Sequence, residues 1–339
     1  MNRRLQLMII MCMVASITAI FSHIVISWLK IETSFGGHWL LEPEASQQSV
    51  LMAGSSLAGD GLLWRRISDE RKLRIEGWGV AGSSPSEWEQ FQYLATQAKL
   101  TILVVSAYDL NEHFLSDFRA DIVPLRQTIT DLWQIQADWS YGKRLLSQYF
   151  LSCLRMTFPT AGRSDGVMVG VREKVNKMAY SGFSLESEAG PTLSLNNSPT
   201  TQDYKKESIT DWPPGKMLRR LTALRTGSQG KHEFNGPKKL ALLRMLRQAQ
   251  EQGRALVVVL PVSPAYEKEF LIPEVRRKFE GALTDIQNNM PEVHWVRIDQ
   301  VKELNSNEYF WDLVHMNSNG QTLATEAFLR EIRNYIRIQ

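Results

Sequence analysis

Cysteine is scarce in this 339-residue chain: Cys12 and Cys153 are the only two. Two cysteines build neither a disulfide-stapled scaffold nor a Cys-rich zinc site. Histidine is scarce as well. His38, His113, His232 and His294 are scattered without metal-ligand spacing, so no cofactor is expected. Neither charge sign is in surplus, because 39 Lys plus Arg against 36 Asp plus Glu leave a formal net charge of +3. A dedicated nucleic-acid binder would need a concentrated basic face, and that class is excluded. No internal repeat is present. What remains is ordinary globular composition, 43% apolar and 22% charged. That excludes wholesale disorder and a polytopic membrane protein, and the length fits one large domain or two small ones.

One stretch lacks charge altogether. Leu7 to Leu29 contains no Asp, Glu, Lys or Arg over 23 residues. As a helix it would measure about 34 Å, against a hydrocarbon core of about 30 Å. Arg3 and Arg4 precede it and Lys30 follows, a bias that favours a cytoplasmic N-terminus with the rest of the chain periplasmic or extracellular. The alternative is a cleaved signal peptide, whose apolar core would span only about 7–15 residues and end at a small-x-small site. Apolar sequence continues well past Ala15–Ala19, so an uncleaved single-pass anchor is expected. His23 would lie near one end of it or face a partner helix. Cys12 would then sit in lipid and Cys153 outside, unable to pair.

Beyond the anchor (residues 1–30), residues 31–48 read as a linker and 49–339 as a folded domain. Short apolar runs at Ser49–Ala53, Leu73–Ile75, Leu100–Val105, Ala255–Leu260 and Val293–Ile298 read as strands. Leu100–Val105 and Ala255–Leu260 are continuous apolar runs, as in a parallel sheet covered on both faces. Helical patterns fall at about 85–98, 125–150, 238–252 and 318–336. The alternation predicts a three-layer α/β/α fold with a mostly parallel central sheet. The interval from about 112 to 237 is a long insertion whose middle, Ser181 to Lys216, is rich in Ser, Thr, Asn, Pro and Gly. It reads as an irregular segment, a lid or partner-docking element.

Three stations carry candidate chemistry. Gly54-Ser55-Ser56-Leu57 follows the first strand, where a serine on a tight turn can stand above the sheet with backbone N–H groups nearby. Gly79-Val-Ala-Gly82 follows the second strand and allows close backbone approach to a ligand. Asp312-Leu-Val-His315 precedes the last helix, a spacing that lets a carboxylate orient an imidazole as general base. Taken singly, each is also an ordinary turn or surface loop. Asp109 and Glu112 read as loop residues, and Lys205-Lys206 and Arg219-Arg220 as solvated charge. Trp78, Trp88 and Trp311 lie near the stations, with packing as their default role.

Together these stations resemble the SGNH, or GDSL-like, hydrolase superfamily. The resemblance makes Ser56 the nucleophile, Asp312 and His315 the remainder of a catalytic triad, and Gly82 an oxyanion donor, with Asn317 nearby. One departure stands out: Ser106-Ala107-Tyr108-Asp109-Leu110-Asn111 places Tyr108 where the family carries its oxyanion asparagine, and Asn111 is three positions out of register. Tyr108 and Asn111 are the candidates for that corner of the site. With the N-terminal span and Leu260-Pro-Val-Ser-Pro-Ala-Tyr266, the chain is similar to the membrane-anchored branch that assists surface-polymer acylation, which includes the D-alanyl transfer protein and the alginate acetylation proteins. That similarity implies a polysaccharide or cell-envelope polymer as substrate and a multi-span membrane O-acyltransferase as partner. The activities to weigh are O-acyltransferase, plain esterase, and a non-catalytic assembly factor that keeps the fold.

Overall fold

A computed structural model of the protein describes residues 3–29, 38–42, 48–80, 82–90, 98–114, 123–137, 139–158, 207–228, 230–333 and 335. The chain divides into two compact units. One holds Met1–Phe35, Arg119–Pro124 and Lys143–Thr192; the other holds Gly36–Phe118, Leu125–Gly142 and Leu193–Gln339.

In the first unit, α1 (Arg3–Leu29) gathers the uncharged stretch into one helix. Its described apolar side chains, among them Met11, Ile17, Ile20 and Phe21, are exposed. Among the described residues no helix is long and apolar enough to cross a membrane.

The second unit is built on six strands: β1 (His38–Leu41), β2 (Gln48–Ser55), β3 (Leu73–Val80), β4 (Leu100–Ser106), β5 (Arg254–Leu260) and β6 (His294–Arg297). Their order is β1-β3-β2-β4-β5-β6, and all neighbours are parallel except β1, which pairs antiparallel with β3. The fold is thus α/β with a mostly parallel sheet. Every residue of β4 is buried, and so is β5 after Arg254, because helices cover both faces. In chain order the further helices are α2 (Ser56–Gly61), α3 (Trp64–Arg71), α4 (Pro85–Trp88), α5 (Ala107–Leu110), α6 (Leu125–Gln134), α7 (Trp139–Thr157, which belongs to the first unit from Lys143 onward), α8 (Pro214–Ser228), α9 (Pro237–Gln252), α10 (Pro264–Phe270), α11 (Pro273–Asn289) and α12 (Ser318–Glu331). One group packs α2 and α3 on β3 with α12 on α2, and the other gathers α4, α6 and α11 around α9.

Two sequence expectations need correction. Residues 31–48 are not all linker, since His38–Leu41 pairs with Ile75–Trp78 as an edge strand. The helix expected over 125–150 is two helices. Gln136 takes φ +50, the Ala137 N–H reaches the Leu132 carbonyl and the Gln136 N–H reaches that of Trp133. This is a Schellman stop made without glycine. Of the helix expected over 85–98, Pro85–Trp88 forms α4, and residues 91–97 lie outside the described residues. Most of the polar middle of the insertion, 181–206, also lies outside the described residues, as do Lys205 and Lys206.

β2 and β4 are the point at which strand order reverses, and the carboxyl ends of strands at such a point form a crevice in open α/β sheets. Ser56 follows β2 directly at that edge.

Candidate active site

The turn from β2 into α2 is tight because Gly54 leaves no room for a side chain. A Cβ there would lie 2.2 Å from the Ala58 Cβ and 3.0 Å from the Val104 carbonyl oxygen. Ser55 caps α2 by accepting the Leu57 N–H at 3.1 Å, so Ser56 is the first helical residue and stands at the sheet edge. Ser55 pairs in register with Val80 of the adjacent strand, which brings the carboxyl end of β3 alongside. Gly82 holds φ +72, a conformation that glycine adopts without steric cost.

The third station is a closed loop. Phe310 and Met316 form an antiparallel bridge, the Trp311 N–H donates to the His315 carbonyl at 3.1 Å, and the Asn317 N–H donates to that of Tyr309 at 2.9 Å. The fully buried Ser263, three residues beyond β5, donates from both its N–H and its hydroxyl to the Leu313 carbonyl. The loop is therefore pinned against the exit of β5. Asn317 caps α12, accepting from the N–H groups of Asn319 and Gly320.

These two loops, 259 residues apart in sequence, meet through one hydrogen bond. Ser56 Oγ lies 2.9 Å from His315 Nε2. Asp312 is 3.0 Å from His315 Nδ1 through either oxygen. An ionised carboxylate only accepts hydrogen bonds, so Nδ1 carries the proton and Nε2 of the neutral ring is left to accept from the Ser56 hydroxyl. Burial alone would push the Asp312 carboxyl up. Hydrogen bonds from the His315 ring and from the backbone N–H groups of His315 and Val314 outweigh it and hold the group below its ordinary value. Asp312 thus stays charged while buried, and His315 remains partly open. Trp311 stacks on the imidazole, with ring centres 5.1 Å apart and planes 22° apart.

Tyr108 and Asn111 are placed differently. The Tyr108 N–H donates to the hydroxyl of Ser106, and its ring packs on Phe114 and Tyr266. Asn111 is fully buried. Its Nδ2 lies 2.8 Å from His232 Nδ1, and its oxygen accepts from the N–H groups of His113 and Glu233. Tyr108, on α5, is thus partly buried against the core, and the Asn111 amide is held just beyond that helix. Asp109, also buried, accepts from Ser106 at 2.8 Å, and burial pushes its carboxyl up. Trp88 is buried and donates to Ser83, while Trp78 is partly buried against the core.

Sequence reasoning missed one neighbour of the triad. Arg220, on α8 within the insertion, brings Nη2 to 3.7 Å from Asp312 Oδ2. The insertion returns there because the Ile209 N–H donates to the Phe310 carbonyl and the Ser208 hydroxyl to that of Asn307. Nothing in the Arg219-Arg220 pair itself signals this contact. Among the described residues no cluster of His, Cys, Asp and Glu is arranged to hold a metal.

No protein-family model and no curated protein matches the chain. Solved structures of Axe2, an acetylxylan esterase from Geobacillus stearothermophilus, are similar at 10% identity. The Axe2 structure itself has a TM-score of 0.40, with 87% of this chain and 99% of that chain covered. Two of its catalytic mutants give TM-scores of 0.39, with the same coverage, and 0.38, with 85% and 95% covered.

Proposed function

We propose that the protein is an SGNH-type serine enzyme acting on acyl esters of a cell-surface or exported polysaccharide. The observation that carries this reading is the chain of contacts Ser56–His315–Asp312 at the carboxyl edge of a parallel sheet. Ser56 Oγ attacks the ester carbonyl as its proton passes to His315 Nε2, and Asp312 stabilises the imidazolium. The tetrahedral oxyanion is held by the backbone N–H groups of Ser56 and Gly82. Collapse expels the alcohol, which takes the proton from His315 and leaves an acyl group on Ser56. A second alcohol gives transfer, and water gives hydrolysis. The third oxyanion donor of the family is absent at Tyr108, a loss worth about 10²–10³ in rate, so slow turnover of small esters is expected.

In this reading residues 7–29 anchor the chain and the sheet domain works outside the cytoplasm. Acyl-CoA is not available there, so where the reaction runs as transfer onto the polymer, a multi-span membrane O-acyltransferase relays the acyl donor whose ester Ser56 attacks. A second reading, a non-catalytic assembly partner of such an acyltransferase, is favoured by the same Tyr108. The test is acetate release and acetyl transfer by the full-length chain in membranes, given an acetylated polysaccharide. Ser56→Ala is expected to lower both at least a thousandfold with the melting temperature unchanged. Full activity in Ser56→Ala would refute the mechanism, and inactivity of the wild type in both assays would favour the assembly role. Retention of the wild type in membranes after alkaline carbonate extraction tests the anchor, which release would contradict.

A further inference from the structure

Helix α6 is turned inside out. Its buried side chains are polar, Thr128 and Asp131. Arg244 of α9 holds Asp131 through two hydrogen bonds of 2.7 and 3.0 Å, and the same guanidinium grips Glu89. Gln127 bonds to Glu89 and Gln90 beside them. The apolar side chains lie on the other side. Leu125, Ile129 and Trp133 recur every four residues, on one face of the helix, and are 41%, 51% and 84% exposed. Trp139, just past the turn at Gln136, is 78% exposed.

A helix surrounded by water on one side turns its apolar stripe inward. Here the polar face is spent on the protein and the apolar face is left outside, and such a patch marks a surface that another surface covers. Three observations point to lipid as the cover. An indole suits the membrane–water boundary, because its ring is apolar while its N–H stays wet. No exposed anion repels a headgroup: among the described residues of 125–142 the one acid, Asp131, is buried against Arg244, and Arg126 is exposed. Residues 125–142 are also joined through the chain at both ends, at Pro124 and at Lys143, to the unit that contains α1. A second copy fits less well. Two indoles offer at most about 150–250 Å² each, and with the part-exposed Leu125 and Ile129 they fall short of the about 800 Å² per partner of a stable dimer.

Building on the membrane anchor of the reading above, and independently of its serine chemistry, we propose that α6 and Trp139 form an interfacial docking face. Leu125, Ile129, Trp133 and Trp139 enter the headgroup region of the bilayer that holds α1, to a depth of about 5–10 Å. Because α1 already keeps the chain at the membrane, a contact too weak to recruit a free protein is enough to dock this one.

The test places an environment-sensitive fluorophore on the full-length chain in vesicles of phosphatidylcholine with a minority of phosphatidylglycerol. In a background of Cys12→Ser and Cys153→Ser, Ile129→Cys carries the probe on α6, and Leu218→Cys carries it on the equally apolar, 67% exposed position of α8. Lipid bearing a nitroxide near the head of its acyl chain is expected to quench the probe at 129 about twofold or more and to leave the probe at 218 nearly untouched. Adding Trp133→Ala and Trp139→Ala is expected to abolish the quenching at 129 with the melting temperature unchanged, since both indoles are exposed. Equal quenching at both positions overturns the proposal, because the domain then has no chosen face. So does a blue-shifted probe at 129 that lipid nitroxide does not reach: if the shift fades on dilution a second copy covers α6, and if it persists the cover is protein of the same chain. Absent quenching with the wild type still retained after carbonate extraction sinks the α6 proposal alone. Release by carbonate sinks the anchor, and the docking face falls with it.

Discussion

The sheet domain buries carboxylates in two polar clusters, and the clusters treat them in opposite ways. In the 310–317 loop, Asp312 is surrounded by N–H donors and an imidazole and is held below its ordinary value. Behind α5, Glu112 is pushed up to about 7 by burial, which outweighs the charge of Lys238 and hydrogen bonds from Tyr141 and the α9 backbone. Glu112 caps α9 through the N–H groups of Lys238 and Lys239 and accepts from Tyr141 at 3.0 Å, while the Lys238 ammonium donates to the carbonyls of Asn111 and Phe114. That cluster spends its groups on itself. The 310–317 loop leaves an imidazole nitrogen and a serine hydroxyl facing each other at the sheet edge. Burial alone therefore does not mark a reactive carboxylate. The useful contrast is whether the surrounding donors favour the charged form and whether a partner stays partly open.

Removing the charge from the first cluster has the largest expected effect. Asp312→Asn keeps the size but loses the acceptor pair that fixes the Nδ1 proton, and kcat for ester turnover is expected to fall about 10³–10⁴-fold. A fall of less than tenfold would place Asp312 outside the chemistry.

The second cluster should respond in stability. A carboxyl whose folded value is raised binds more protons in the folded state, so its contribution is complete below about pH 4.5 and is lost as pH rises through about 7. Glu112→Gln cannot ionise and keeps an acceptor for the α9 cap. Relative to that variant, the wild type is expected to lose melting temperature between pH 4.5 and 7, with activity per folded molecule unchanged. Parallel curves would contradict this account of Glu112. Asp312 has the opposite sign: its contribution is present above its ordinary value of 3.8 and is lost as pH falls through its lowered one.

The smallest effect concerns the ring on the base. Trp311→Leu removes the face that packs on His315 and is expected to lower kcat about three- to tenfold. Trp311→Phe should recover most of it. Equal losses in KM alone would instead make Trp311 a substrate-binding wall.

Much of the fold was legible because parallel strands buried on both faces leave continuous apolar runs, as at Leu100–Val105 and Ala255–Leu260. The edge strand His38–Leu41 was not, because its single pairing leaves only four residues of weak pattern. The break at Gln136 was missed because its left-handed turn uses no glycine. The same division holds at the candidate site. Serine after a strand and Asp-x-x-His before a helix can be read as positions, whereas the 2.9 Å contact across 259 residues cannot. Arg220 was read as solvated charge because local sequence carries no trace of an insertion folding back on Asp312. Asn111, chosen for its proximity to the family motif, proved committed to His232 and to two backbone N–H groups.

Covalent labelling by a fluorophosphonate probe, with the adduct located by mass spectrometry, reports most directly on the contact between Ser56 and His315. A single adduct on Ser56 in the wild-type protein, lost in His315→Ala while that variant remains folded, is the expected result. An unmodified Ser56, or labelling that persists without the imidazole, would contradict the account.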